Sequence, residues 1–475
     1  GGRARGGGRD RLPLTAACPV RLVPGRRLRG AVPWPGMSDD ATALLHDPVT
    51  YETGVPFEVL HRLRRERGIV RVGEPEQVGW PEGPGYWLVL RHADVTAVLR
   101  DPATFSSHTG GTQIRDPATP QDLAYVRRMM LNMDPPEHSR LRRMLARSFT
   151  PRAVAALGER IAEHCRRIVD RMLAGPREVD FARDVAADLP LLTLADVLGV
   201  PAEDRLLLYD WSNRVIGWQD PDYAVSAAFD PSRGTDMAAK AITLRPEPGP
   251  DGRMPDPRSR AGMPDLYAYA ALLGERKRTE PTGDVMSILM AQRDDAGGHV
   301  TIEEFENLFW LFAVAGNETL RNGIPGGMIA LLAHPDAQRA LRADPGLLPD
   351  AVEEVLRWWT PVMVFRRTAT KDTEIAGQPI AAGEKVVVSF ASANRDEAVF
   401  AEPDVFDIHR RPTAHLAFGQ GPHFCLGAQL ARLQMRTLFA ELLARTSWLE
   451  AAGEPTFLRS NFQRGVKRLP IRWEP

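Results

Sequence analysis

The sequence predicts a mainly α-helical protein with small β-sheets. Three observations carry this expectation. Apolar residues recur at helical spacing over most of 136–225, broken by Pro and Gly punctuation. A longer helix opens at Thr301 and is apolar nearly all round, so it is expected to cross the core. The alternating stretches that read as strands, 86–90, 374–380 and 385–389, are few and short.

Taken in order, residues 1–36 carry many glycines and eight arginines against a single acid, without periodicity, and read as disordered or as a mis-started leader. Met37 opens the folded part, 37–475. An amphipathic helix is expected over 57–67, and another over 92–100, stopped by Asp101-Pro102. Residues 244–264, dense in Pro, Gly and charge and without an apolar face, predict a long mobile loop. A helix over 266–278 follows. Thr301 with Glu304 forms a capping-box signature. Pro325, followed by Gly326-Gly327, predicts a kink or an early break in the core helix, because proline removes a helical hydrogen bond at a cost of about 3 kcal/mol. A helical stretch begins near Pro349, and an amphipathic helix spans 428–445.

Composition excludes several classes. The 475 residues are 43% hydrophobic and 25% charged, which is ordinary globular composition. Sixty basic against sixty-one acidic residues leave a net charge of −1, with no global attraction to nucleic acid or an anionic membrane. The longest apolar run, 308–316, is about half of what a membrane span needs. Cys18, Cys165 and Cys425 are too few for a disulfide framework and fit a reducing cytoplasm.

The strongest chemical signal is Phe418-Gly419-Gln420-Gly421-Pro422-His423-Phe424-Cys425-Leu426-Gly427, directly before the 428–445 helix. Glycines such as Gly419 let backbone approach a flat ligand closely. A cysteine at a helix N-terminus is favoured as thiolate, and a thiolate is a strong axial ligand for haem iron. A buried structural cysteine is the plain alternative. Zinc lacks further cysteine ligands nearby, and C-x-x-C-H for a c-type haem is absent.

The segment resembles the cysteine loop F-G-x-G-x-H-x-C-x-G of the cytochrome P450 family at every fixed position. Three further motifs follow the family order. Ala315-Gly316-Asn317-Glu318-Thr319 resembles the oxygen-activation motif, Glu354-Val355-Leu356-Arg357 the E-x-x-R element, and His138 with Arg142 the H-x-x-x-R pair. The resemblance covers about 40–475. It implies one large, mainly α domain, with haem b held between the long core helix and the cysteine-loop helix.

By the same resemblance, Cys425 is the iron ligand, Phe418 packs near it, and His423, His138, Arg142 and Arg367 face the propionates, with Arg366 a competitor for Arg367. Gly316 leaves room for dioxygen, and Glu318 and Thr319 organise protons. Arg410 joins Glu354 and Arg357 in a structural cluster. The expected substrate pocket is apolar: Leu311, Ala315, Val362, Met363, Val364 and Phe462.

The implied activity is a monooxygenase using O2 and electrons from a ferredoxin and its reductase, since no flavin or iron–sulfur module follows Pro475. Arg140, Arg142, Arg143, Arg147, Arg432 and Arg436 are the expected basic face for an acidic ferredoxin. The runs at 131–136, 315–322 and 365–370, with Ser460-Asn461-Phe462, are similar to actinobacterial hydroxylases of steroid side chains and methyl-branched lipids. The alternatives are a haem sensor or carrier without turnover, and a tailoring enzyme acting on a terpene or polyketide.

Overall fold

The computed structural model describes residues 39–475, apart from 78–80, 150, 217–219, 221–228, 251–253, 258 and 412. The leader expected over 1–36 therefore lies outside the described residues, as does part of the helical stretch expected up to 225.

The core helix, Ile302–Ala333, organises the rest. Its start is the expected capping box: Glu304 N donates to Thr301 Oγ1 (3.1 Å) while Thr301 N donates to Glu304 Oε2 (2.9 Å). Two orphan amides are thereby satisfied, and an apolar run follows. The N-terminal half, from Phe305 to Ala313, is buried in one hydrophobic cluster with helices Asp188–Leu198, Arg205–Ile216 and Pro264–Thr279. Its C-terminal half, from Leu320 to Leu331, is buried in another with helices Leu348–Trp359 and Ala428–Arg445. Each fully buried Leu, Ile or Phe contributes about 1.5–3 kcal/mol, so both halves are firmly seated. The Ala315–Thr319 motif falls at the junction.

Pro325 does not break this helix, which continues to Ala333. The lost hydrogen bond is offset by packing on both sides. Ile324, Met328, Ile329 and Ala330 have no exposed surface. Glycine is needed at the next two positions: a Cβ at Gly326 would lie 2.2 Å from Trp359 Cγ, and one at Gly327 would lie 2.7 Å from Phe439 Cζ.

Helices Phe57–Glu66, His92–Arg100, Pro264–Thr279 and Ala428–Arg445 match the sequence expectations to within two residues at each end. The β component is minor. One sheet runs in the order β1-β2-β8-β5-β3, with β1 Ile69–Glu74, β2 Gly83–Val89, β3 Phe105–Ser106, β5 Val364–Ala369 and β8 Lys385–Ser389. Among the described residues only β2 and β8 pair in parallel, Leu88 opposite Val387. A second sheet joins β4 Glu178–Asp180, β12 Pro470–Glu474 and β9 Trp448–Ala451. The expected 374–380 strand is a hairpin of β6 Thr373–Ile375 and β7 Gln378–Ile380. Among the described residues, no helix is long and apolar enough to cross a membrane.

Candidate active site

The cysteine turn closes on itself ahead of its helix. Cys425 N donates to Phe418 O at 2.9 Å, and Gly419 and Gly421 adopt φ of 71° and 68°, which glycine tolerates best. Cys425 keeps accessible surface, yet many protein atoms crowd around its thiol. That burial pushes its thiol pKa up, opposed by the Gly427 amide and by the Arg142 and Arg432 charges. Arg432 lies 4.5 Å above the Phe418 ring and is itself clamped by Glu353 through bonds of 2.5 and 2.8 Å.

His138 and His423 come from elements far apart in sequence, yet their ring centroids are 4.1 Å apart. Burial, with the Arg142 charge, lowers the His138 pKa to about 4. Burial, with Arg367 and His138, lowers that of His423 to about 2. Arg367 is fully enclosed, and burial lowers its pKa to about 10. Its Nη1 donates to Arg366 O at 2.8 Å. Neighbouring Arg366 turns elsewhere, to Asp116 at 2.5 Å.

Among the described residues, no ion pair neutralises Arg142 or Arg367, and His138 Nδ1 has no partner. Two unpaired guanidiniums, with two imidazole rings beside them, call for carboxylates, because buried charge is stable only when paired. The two propionates of haem b would supply that charge, and the Cys425 thiol would be the donor to its iron. The residues fit the group.

Glu354, Arg357 and Arg410 form the expected cluster. Arg357 Nε and Nη2 donate to Glu354 at 2.7 Å each, and Arg410 Nε reaches the same carboxylate at 3.2 Å. Arg357 also donates to the carbonyls of Asn394, Pro403 and Val405. The cluster thus pins the 394–410 segment to the Leu348–Trp359 helix.

On the other side lies a cavity of about 190 Å³. Leu311, Ala315, Thr319, Val362 and Phe462 line it, together with Phe365, Trp310 and the 110–115 segment. Met363 and Val364 do not: both pack into the cluster of Leu60, Tyr86 and Val387. Successive side chains of β5 alternate faces and Phe365 takes the cavity side, which turns Val364 away, while the Met363 N–H donates to Phe462 O (2.9 Å). From the 244–264 loop, Asp256 and Ser259 reach the cavity, and Arg260 pairs with Glu306 at 2.7 Å.

Glu318 does not line the cavity. It is fully buried and accepts from Ser212 Oγ (2.8 Å) and Arg321 Nη1 (3.2 Å); Arg321 in turn donates to Asn213 and Tyr209. Gly316 faces Leu194 of the neighbouring helix. Thr319 alone of the three stands on the cavity wall, its Oγ1 donating to Ala315 O at 2.9 Å. Sequence reasoning missed the Ser212–Asn213–Tyr209 network, the Glu353 clamp and the 110–115 wall. The first two join residues 79 to 112 positions apart, and no local pattern marks them.

A mainly α fold carrying a glycine-rich cysteine turn and a cationic cluster, with a long core helix beside an apolar cavity, is that of a haem-thiolate oxygenase. The chain belongs to the cytochrome P450 family. The family model described as Cytochrome P450 matches residues 346–473. The chain is 34% identical to a steroid C26-monooxygenase of Rhodococcus jostii, over 90% of this chain and 84% of that one. It is 37% identical to a methyl-branched lipid omega-hydroxylase of Mycobacterium tuberculosis, over 86% and 89%. The fold matches the Mycobacterium marinum cytochrome P450 CYP268A2 in complex with pseudoionone with a TM-score of 0.76, at 33% identity, over 93% and 99% of the two chains. The chain is therefore a cytochrome P450 monooxygenase with the P450 fold, and its cofactor is haem ligated by a cysteine thiolate.

Proposed function

We propose that the enzyme hydroxylates an apolar steroid side chain or methyl-branched lipid, with Cys425 as the thiolate ligand. The observation that carries this reading is the cavity whose apolar walls end at Thr319 on the core helix. The related hydroxylases of steroids and branched lipids support the substrate class.

When bound, the haem supplies the iron at which O2 is activated for insertion of one oxygen atom into a C–H bond. His138, Arg142, Arg367 and His423 hold the propionates. Thr319 orients a proton at the cavity wall, and the adjacent Glu318, whose carboxylate accepts from Ser212 and Arg321, is the proton-relay group behind it. Apolar side chains orient the substrate by shape and exclude water.

The electron donor in this proposal is an acidic ferredoxin with its reductase. Arg140 is engaged by Glu304 and Asp294, and Arg432 by Glu353. Arg143 and Arg147 stay more than half exposed while sharing one carboxylate, Asp295, which leaves local positive charge for an acidic partner. A cytoplasmic location belongs to the same proposal, resting on the scarcity of cysteines.

The test is an optical titration of the ferric protein with steroid ketones, methyl-branched fatty acids, terpenes and macrolides. A shift to high spin with sterols or branched lipids, followed by hydroxylated product in a ferredoxin-driven assay, supports the reading. A shift confined to terpenes or polyketides overturns it and moves the enzyme to secondary metabolism.

A further inference from the structure

We propose that Arg366 is a positioning residue for substrate selection: paired with Asp116, it pins the 110–116 wall and so sets the width of the distal cavity. Neither side chain lines that cavity. The inference rests on the reading of the cavity as the substrate site, and holds whether a steroid or a branched lipid fills it.

Gly110 to Arg115 line the cavity together with Leu311, Ala315 and Thr319 of the core helix. They fall between β3 and the helix Pro120–Val126, with no helix or strand of their own. The place of this wall therefore depends on what ties it down. One tie is Asn132, whose Oδ1 accepts from Thr112 N at 3.0 Å and from Thr112 Oγ1 at 2.7 Å. The other is Arg366 on β5. Its N–H donates to Thr112 O at 2.9 Å, and its Nη1 donates to Asp116 Oδ1 at 2.5 Å. The guanidinium also lies directly against the wall, since a Cβ at Gly110 would collide with Nη2.

Asp116 bridges two buried cations. Its other oxygen lies 2.7 Å from Lys385 Nζ on the adjacent strand β8, and Glu74 accepts from the same ammonium at 2.8 Å. Glu74 thus serves Lys385, and among the described residues Asp116 is the one acid paired with Arg366. An ordinary surface ion pair contributes little. This one differs because Arg366 is only 3% exposed and is stranded whenever the wall moves away with its carboxylate. A wider ligand has to displace the wall against that penalty, whereas a narrow one does not, and the difference is size selection.

The test reads cavity width on the holoenzyme with two azoles that ligate haem iron from the distal side, 4-phenylimidazole and the bulkier clotrimazole, by optical titration. Asp116→Asn keeps the side-chain shape and removes the charge; Arg366→Gln removes the cation. In each we expect the ratio of the two Kd values to move about fivefold in favour of clotrimazole. The Kd of 4-phenylimidazole should stay within about twofold of native, and the double variant within about twofold of the larger single effect, because both changes remove one interaction. Amide hydrogen exchange over 110–116 should quicken while that of the core helix holds. An unchanged ratio in Asp116→Asn overturns the inference, as do additive effects in the double variant or equal weakening of both azoles. If Arg366→Gln does not fold, Asp116→Asn decides alone. Because both probes report at the iron, failure here leaves the proposed substrate class standing, and failure of the steroid and lipid titrations leaves this test intact.

Discussion

Glu354 and Arg357 face each other through two hydrogen bonds of 2.7 Å, and neither side chain has any exposed surface. The remaining Arg357 donors hold backbone carbonyls of the 394–405 segment, which leads into the cysteine turn. Removing one partner of a buried pair costs about 3–5 kcal/mol, since the other charge is stranded. Glu354→Ala is therefore expected to yield protein with little or no bound haem, read by pyridine haemochrome against total protein. Haem content equal to that of the native protein would refute the structural role.

Arg366 and Arg367 separate two functions that lie side by side in β5. Arg367→Gln would remove the charge-assisted propionate contact proposed above, worth about 1.5–3 kcal/mol. Haem transfer to apomyoglobin should accelerate by roughly 10- to 100-fold. Arg366→Gln breaks the Asp116 contact instead and should leave the transfer rate close to native. The reverse ranking would show that Arg366 holds the propionate.

Thr319→Ala is expected to fold and bind haem normally, because the lost hydrogen bond is a local one to Ala315 O. Its consequence falls on the reaction: product per NADPH drops and hydrogen peroxide rises. Glu318→Gln should lower the turnover rate by a factor in the roughly 10²–10⁴ range that positioned proton transfer contributes. Unchanged product yield in Thr319→Ala would remove that residue from proton delivery.

Glu353 gives the proximal side an acid limit. Burial pushes its pKa up, but hydrogen bonds from Arg432 and His415, with their charges, more than reverse this and hold it at about 2 against an ordinary 4.5. A depressed folded pKa means stability that is complete above the unfolded value and lost as pH falls toward the folded one. Between about pH 4.5 and pH 2 the native protein should lose thermal stability more steeply than Glu353→Gln. Parallel melting-temperature profiles in that window would show that the clamp contributes nothing.

The particular residues explain what the sequence reveals. The cysteine turn, the capping box at Thr301 and the Glu354/Arg357 pair are local: their chemistry lies within ten positions, so spacing displays them. The same holds for the 428–445 helix, whose ends are marked by Gly427 and a change of periodicity. Pro325 misleads because local propensity opposes the helix, while tertiary burial of its flanks decides the outcome. Met363 and Val364 mislead differently. An apolar run after a helix says that side chains are buried but not which of two adjacent cores takes them. The environment of Glu318 is invisible for a third reason, since Ser212 is 106 positions away and no motif ties the two.

The seating of Gly326 against the Trp359 indole has a mechanical meaning. Gly326 and Gly327 together present only a two-residue notch to Trp359 and Phe439, and side chains flank the notch on either side. An axial slip of two residues, about 3 Å, would drive one of those side chains into a ring. The core helix is thus keyed against translation relative to the Leu348–Trp359 helix. Thr319 on one and Glu354 on the other therefore keep a fixed longitudinal phase.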